Sequence, residues 1–426
     1  MDVAGFEELL GPLGQAVLAE AAGADVGEAE LLRTASRLRE RYPHGPVAAA
    51  LTQVRLRERA REKFGDDAAR MYFTQAGLEQ ATRRCVAEYR AARFAEVLPP
   101  GGRVLEPGCG IGADLVARAR AGCPGEGVER DPLTAAVARA NVRALGLADL
   151  ASVRVGDAAD TDPAGFAAVF ADPGRRTARG RVFDPRSYEP PLDVVLDLAA
   201  RVPAACVKVA PGIPHEAVPA GAEAEWISVA GEVKEAALWL GAFARHEPVP
   251  GERFRRRATL LDGRGRVRSL VPDPALGAPP VGPWGRYLYE PDGAVIRAHL
   301  VAEVAAAVGG RLADAHIAYV TGDAPVGTPF AAAYEIDAVL PFSLKRLRAE
   351  LRRREVGVLT IKKRGSAVDV ERLRRDLGFA GRGRRRGDAE LTVVLTRVGD
   401  DPVALLARPK DLPTPEERQS DPSDAS

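Results

Sequence analysis

A chain of 426 residues with 46% apolar side chains is long enough for two or three domains and ordinary in the apolar content available for their cores. Its 60 basic residues are balanced by 59 acidic ones, which excludes a polyelectrolyte over the whole length. Cys85, Cys109, Cys123 and Cys206 form no C-x-x-C pair and the five histidines show no ligand spacing, which argues against a disulfide framework and against a metal site.

The N-terminus, MDVAGFEELLGPLG, lacks a basic segment followed by an apolar core, so no signal peptide is expected. No apolar run approaches the ~18–20 residues that cross a bilayer. The expectation is a soluble, cytoplasmic protein with no membrane partner. Residues 1–98 read as a helical domain, since stretches such as EAELLRTASRLRERY repeat apolar positions every three or four residues. The last of these helices, GLEQATRRCVAEYRAARFAEVL, stops at Pro99-Pro100-Gly101-Gly102.

The rhythm then changes. RVLEPG, GEGVERD, ASVRVGD, FAAVFADP and ACVKVAP are short apolar runs ending in Gly, Asp or Pro, and helical stretches separate most of them. Alternation of this kind predicts a parallel sheet covered by helices, over about 99–250. Residues 251–335 read as an α+β connecting region and 336–408 as a small basic domain of helices and strands. The polar tail 409–426 reads as disordered.

The loop VLEPGCGIGAD places Gly108, Gly110 and Gly112, with Cys109 between the first two, directly after a strand and before a helix. The spacing is G-x-G-x-G and not the G-x-G-x-x-G of dinucleotide sites. Glu106 precedes the loop, where it would repel a pyrophosphate but favour the ammonium and sulfonium of S-adenosylmethionine. Glu129, 21 residues after Gly108, is spaced to hydrogen-bond a ribose hydroxyl pair. Asp157 ends the next strand, where it can accept from an adenine amino group. Each acid alone could equally cap a helix; three in order, each after its own strand, favour a cofactor site.

LEPGCGIG, GVERD, VGDA and FADP resemble the successive motifs of class I S-adenosylmethionine-dependent methyltransferases. With YFTQAGLEQATR, ADPGRR, VKVAPGI, GEVKEAALWL and GVLTIKKRG, most of the chain is similar to bacterial members that carry a C-terminal THUMP-like domain. The resemblance implies a Rossmann-like doubly wound α/β sheet, a helical N-terminal domain and a small α+β THUMP-like domain. It also implies S-adenosyl-L-methionine as cofactor and RNA, tRNA or rRNA, as partner.

Asp172-Pro173 stands at the tip of the fourth strand, facing the crevice where such sheets bind ligands. In related N-methyltransferases an acid or amide there is followed by two prolines and an aromatic ring, and together they orient an exocyclic amine and stack its base. Here Gly174, Arg175 and Arg176 replace the second proline and the ring. Either Asp172 orients the acceptor, with the arginines touching substrate and Phe183 or Tyr188 returning a ring, or it caps the next helix. Gln80 and Thr82 are placed to reach the methionine carboxylate. Lys208 and the trio Glu232, Lys234, Glu235 read equally as structural ion pairs or pocket lining.

Between Leu344 and Arg386 there are sixteen Lys/Arg against five Asp/Glu, an excess of eleven in a chain whose total is +1. Lys362, Lys363 and Arg364 close a predicted strand inside this block. Such asymmetry points to a polyanionic partner, recognised by backbone and shape given how few aromatics lie there. Two rivals remain: a methyltransferase for a protein or small molecule, and a non-catalytic RNA-binding protein on the same scaffold.

Overall fold

The computed structural model describes residues 2–23, 27–174, 176–177, 180–181, 188–245, 249–262, 265–379 and 389–414. The chain divides into two compact units, the first made of 1–224, 235–247 and 253–255, the second of the remainder.

The first unit opens with six helices: α1 (Val3–Leu10), α2 (Pro12–Ala21), α3 (Glu28–Arg39), α4 (His44–Phe64), α5 (Gln75–Gln80) and α6 (Arg84–Val97). Asp2 caps α1 by accepting from Gly5 N at 2.9 Å, and Pro12 starts α2 where no amide proton is needed. In α4, Val47, Ala50 and Val54 bury one stripe at helical spacing. That stripe shares a core with Ile111, Leu115 and Val137 of the segment that follows. Two buried amides tie the helices to it. Gln53 exchanges two hydrogen bonds with the backbone of Phe73. Asn141 accepts from Tyr72 N at 2.7 Å and donates to the carbonyls of Tyr72 and Ile111.

Next come β1 (Val104–Pro107), α7 (Ala113–Arg120), β2 (Gly125–Glu129), α8 (Pro132–Ala144), β3 (Ala151–Val155) and β4 (Ala168–Ala171). A two-residue pair, β5 (Arg176–Thr177) with β6 (Gly180–Arg181), precedes α9 (Leu192–Ala199) and β7 (Ala204–Val209); of the next two strands, most of β8 (Glu223–Val229) is counted in the second unit and most of β9 (Glu232–Gly241) in the first. The hydrogen-bonded order is β9-β7-β4-β1-β2-β3, with every neighbour parallel except β9, which runs against β7. β1, β4 and β7 are buried along their whole length, as strands covered on both faces must be. Chain direction across the sheet reverses between β1 and β4, which opens a crevice at their carboxyl ends.

The second unit contains β10 (Arg255–Leu261), β11 (Val267–Leu270), β12 (Tyr287–Pro291), α10 (Gly293–Arg297), α11 (Val301–Ala307), β13 (Arg311–Leu312) and β14 (Val320–Gly322). It continues with β15 (Ala331–Pro341), α12 (Leu344–Arg353), β16 (Val356–Lys363), α13 (Val370–Asp376), β17 (Ala389–Val398) and β18 (Asp401–Lys410). Seven strands form one sheet in the order β13-β14-β12-β15-β18-β17-β16. β12, from the stretch read as a connection, is therefore hydrogen-bonded to β15. α12 turns Leu347 and Leu351 onto this sheet, into a core shared with Leu359 and Leu406 of the strands and Leu373 of α13.

Replacing Asn141 by Ala leaves the Tyr72 amide and two carbonyls without their buried partner. The expected loss is on the order of 2–4 kcal/mol, read as a lower urea midpoint with an unchanged slope. A midpoint equal to wild type would show that the tie is dispensable.

Candidate active site

The loop after β1 folds back onto β2. Gly108 N and Cys109 N both donate to the carbonyl of Val128, at 2.8 and 3.1 Å, and Gly112 N donates to Cys109 O at 2.9 Å. Gly108 and Gly110 hold φ of 75° and 55°, and a Cβ on either would stand in open space. Side chains there would be strained and would fill the crevice, so backbone is what faces a ligand. Gly112 enters α7 packed on Ala138. Cys109 is buried, its Sγ against Gly127, and burial pushes its thiol well above the ordinary range.

Glu129 closes the loop from the end of β2. Gly110 N donates to its Oε2 at 2.9 Å and Asp131 N to its Oε1 at 3.0 Å. Asp157, after β3, accepts from Ala159 N at 2.9 Å. Gly108, Gly110, Glu129, Asp157 and Asp172 all line one cleft of about 530 Å³, together with Gln80. Arg130 and Glu189 pair across exposed ground at its margin, 2.7 Å apart.

Glu106 goes elsewhere. It is 2% exposed and its carboxylate meets Arg118 of α7, so it does not join the acids of the cleft. The Glu106 side chain is turned into the protein, where α7 presents a guanidinium. Burial pushes its carboxyl up to about 7, with Arg118 pulling the other way. Arg90 of α6 pairs with Asp114 at 2.5 Å and also meets Glu235, all three buried. Burial opposes both charges, but each holds the other, leaving Arg90 above and Asp114 below its ordinary value. Lys234 pairs with Glu232 at 2.5 Å.

Asp172 and Lys208 come together, Nζ to Oδ2 at 2.5 Å, and the same ammonium donates to Thr82 Oγ1 at 3.0 Å. Pro173 is buried behind Asp172. Tyr188 is 2% exposed, with its hydroxyl accepting from Ala210 N, so its ring is no platform for a base. Arg175 and Phe183 lie outside the described residues, and Arg176 belongs to β5. Sequence reasoning missed Lys63, whose Nζ donates to the carbonyls of Leu78, Glu79 and Ala81. Burial pushes it down to about 8, aided by Arg83 and Lys208. Its signal was weak: one lysine inside an amphipathic helix.

In the second unit Lys362 pairs with Glu290 and lies 5.4 Å from the Tyr334 ring centroid, while Arg364 stands 5.1 Å from that of Tyr319. Lys363 is exposed and donates to Val368 O. Lys362 and Arg364 therefore belong to a mixed-charge cleft of about 610 Å³, with Arg266, Arg268, Glu290 and Asp292. Among the described residues no His, Cys, Asp and Glu group could hold a metal, and no helix is long and apolar enough to cross a membrane.

Residues 331–409 match the THUMP domain-like family, and 2–60 match a domain of unknown function. The chain is 37% identical over 354 residues to an uncharacterized S-adenosylmethionine-dependent methyltransferase found in two strains of Mycobacterium tuberculosis, covering 81% of this chain and 91% of the relative. The chain belongs to the S-adenosylmethionine-dependent methyltransferases. A candidate methyltransferase from Porphyromonas gingivalis W83 has the same fold, with a TM-score of 0.70 and 22% identity over 90% of this chain and 99% of that one.

The cleft fits this methyltransferase's cofactor, S-adenosyl-L-methionine. Gly108 and Gly110 allow close approach at their Cα positions, and the acids suit a cationic donor with ribose and adenine to be recognised. Glu129→Ala removes a charged acceptor, and hydrogen bonds to charged groups contribute roughly 1.5–3 kcal/mol. Cofactor affinity, measured by calorimetry, is expected to fall at least tenfold; an unchanged value would move ribose recognition to another residue.

Proposed function

We propose that this methyltransferase acts on an exocyclic amine of a base in structured RNA, tRNA or rRNA, in the cytoplasm. The observation that carries the reading is the position of Asp172. Its carboxylate lies on the same cleft as Gly108, Gly110, Glu129 and Asp157, at the switch point of the sheet. Lys208 takes Oδ2, which leaves Oδ1 to accept a hydrogen bond from an amine and aim its lone pair.

When bound, S-adenosyl-L-methionine would supply an electrophilic methyl group for the nitrogen lone pair, with its sulfur as the leaving group. The chain's own work is positioning. Gly108, Gly110, Glu129 and Asp157 would hold the cofactor, Asp172 the acceptor, and Pro173 the backbone between β4 and the turn. The proton shed by the methylated nitrogen passes to water. Alignment of this kind supplies much of the rate in such transfers.

RNA is favoured by the THUMP-like match and by the face of α12. Leu347 and Leu351 are buried, while Lys345, Arg346 and Arg352 are exposed. A row of exposed cations suits phosphate contacts that carry no sequence information. Lys363 adds an exposed cation; Lys362 and Arg364 would meet RNA only from the cleft they share with Glu290. Residues 382–386, the densest part of the basic block, lie outside the described residues.

Nucleoside mass spectrometry of RNA from cells with and without the gene tests the reading. An N-methylated base missing from the deletion strain is expected. Methyl label that survives ribonuclease and stays with protein or small molecules would redirect the substrate assignment. Asp172→Ala is expected to lower turnover about 100-fold with cofactor affinity within a few-fold of wild type. Normal turnover in that variant would remove Asp172 from the chemistry.

A further inference from the structure

The carboxylate at the centre of this reading is not held by its own loop. Asp172 follows β4, and the residue after Pro173 is Gly174, so the turn lacks the second proline that would stiffen it. Asp side chains rotate broadly about their last torsion. Left alone, the two oxygens would sample many directions in the half-open cleft, where the Asp172 side chain is 25% exposed.

A second strand supplies the restraint. β4 and β7 are parallel neighbours with Ala171 opposite Val207, so Lys208 stands beside Asp172. The Lys208 side chain is 7% exposed. Its ammonium spans 2.5 Å to Asp172 Oδ2 and 3.0 Å to Thr82 Oγ1. Thr82 is itself 6% exposed and also accepts from Arg90, at 3.4 Å. Arg90 in turn is fixed by Asp114 and lies 5.1 Å from the Phe170 ring centroid, two residues before Asp172. The chain of contacts begins in a fully buried ion pair and ends on one oxygen of the proposed amine acceptor.

We propose that Lys208, seated by Thr82, is the positioning residue that fixes the Asp172 carboxylate, committing Oδ2 so that Oδ1 addresses the methyl acceptor. The lysine replaces, from across the sheet, the rigidity that the glycine after Asp172-Pro173 gives up. The contact joins an ammonium to a carboxylate, the charge-assisted kind of hydrogen bond that holds geometry best. This inference rests on Asp172 orienting the acceptor, and it predicts a defect confined to that step. A displacement of about 1 Å at such a site costs on the order of 100-fold in rate.

The test uses the full chain as Lys208→Met, Lys208→Arg and Thr82→Val. Tritiated S-adenosylmethionine is the donor, and small RNA from cells lacking the gene is the acceptor. In Lys208→Met, kcat is expected to fall about 100-fold while the RNA KM and the calorimetric cofactor Kd stay within threefold. Lys208→Arg is expected to recover at least a tenth of wild-type kcat. Thr82→Val is expected to lose about tenfold, and it serves as the readout should Lys208→Met fail to fold.

Crystal structures of wild type and Lys208→Met give a readout independent of the acceptor: the carboxylate of Asp172 is expected to turn away or to occupy more than one orientation once the lysine is gone. An unchanged kcat, an unchanged carboxylate, or a loss of cofactor affinity in proportion to kcat would each overturn the role assigned to Lys208. A wild-type protein that transfers no label to RNA, with Asp172 displaced in the Lys208→Met crystal, would instead refute the RNA reading and leave the positioning role standing.

Discussion

Buried positive charge, paired residue by residue, is the constraint around which the catalytic unit is organised. α6 and α7 carry Arg90, Arg93 and Arg118 to sites no more than 7% exposed. Arg90 is matched by Asp114 and Glu235, Arg93 by Glu223, and Arg118 by Glu106. Removing one member of a buried pair costs about 3–5 kcal/mol, because the survivor is stranded in a medium that cannot solvate it. The guanidinium groups of Arg90 and Arg118 also lie 5.1 and 4.6 Å from the Phe170 ring centroid. Phe170 is therefore gripped from two helices, and the carboxyl end of β4 inherits that order.

The crevice follows from the same frame. α7 starts at the glycine loop, so the pairs that fix α7 also fix where the loop leaves β1. Asn141 holds the carbonyl of Ile111 from α8, and Glu129 holds the amide of Gly110 from β2. The loop is thus tied at both ends by buried or half-buried polar groups, while the Cα positions of Gly108 and Gly110 face open space. Lys63 extends the same logic to the segment carrying Gln80 and Thr82, whose carbonyls it gathers.

What could be read from the sequence was whatever is local along the chain. Strand ends, glycine spacing and the acids at 129 and 157 all lie within a few residues of the turn they serve, and the structure puts them on one cleft. Glu106 was legible as an acid after a strand, but not the face it would choose; that was decided by Arg118, 12 residues on and across the loop. Lys208 was visible as a polar residue in an apolar strand, yet its partner lies 36 residues earlier, just past the end of a neighbouring strand. Tyr188 offered a ring in the right neighbourhood and is instead core. In the second unit the basic block was plain, whereas the engagement of Lys362 with Glu290, 72 residues away, depends on a sheet whose strand order no periodicity reveals.

The joining of β4 to β7 has an evolutionary consequence. Because neighbouring side chains of a strand point to opposite faces, one residue added to or lost from β7 upstream of Lys208 would carry the ammonium to the far side of the sheet while leaving composition and hydropathy almost untouched. The segment from Ala204 to Val209 should accordingly tolerate exchange among apolar side chains yet resist any change in length. A lineage could vary the exposed side chains of its second unit freely and still be unable to shorten this strand without uncoupling its acid.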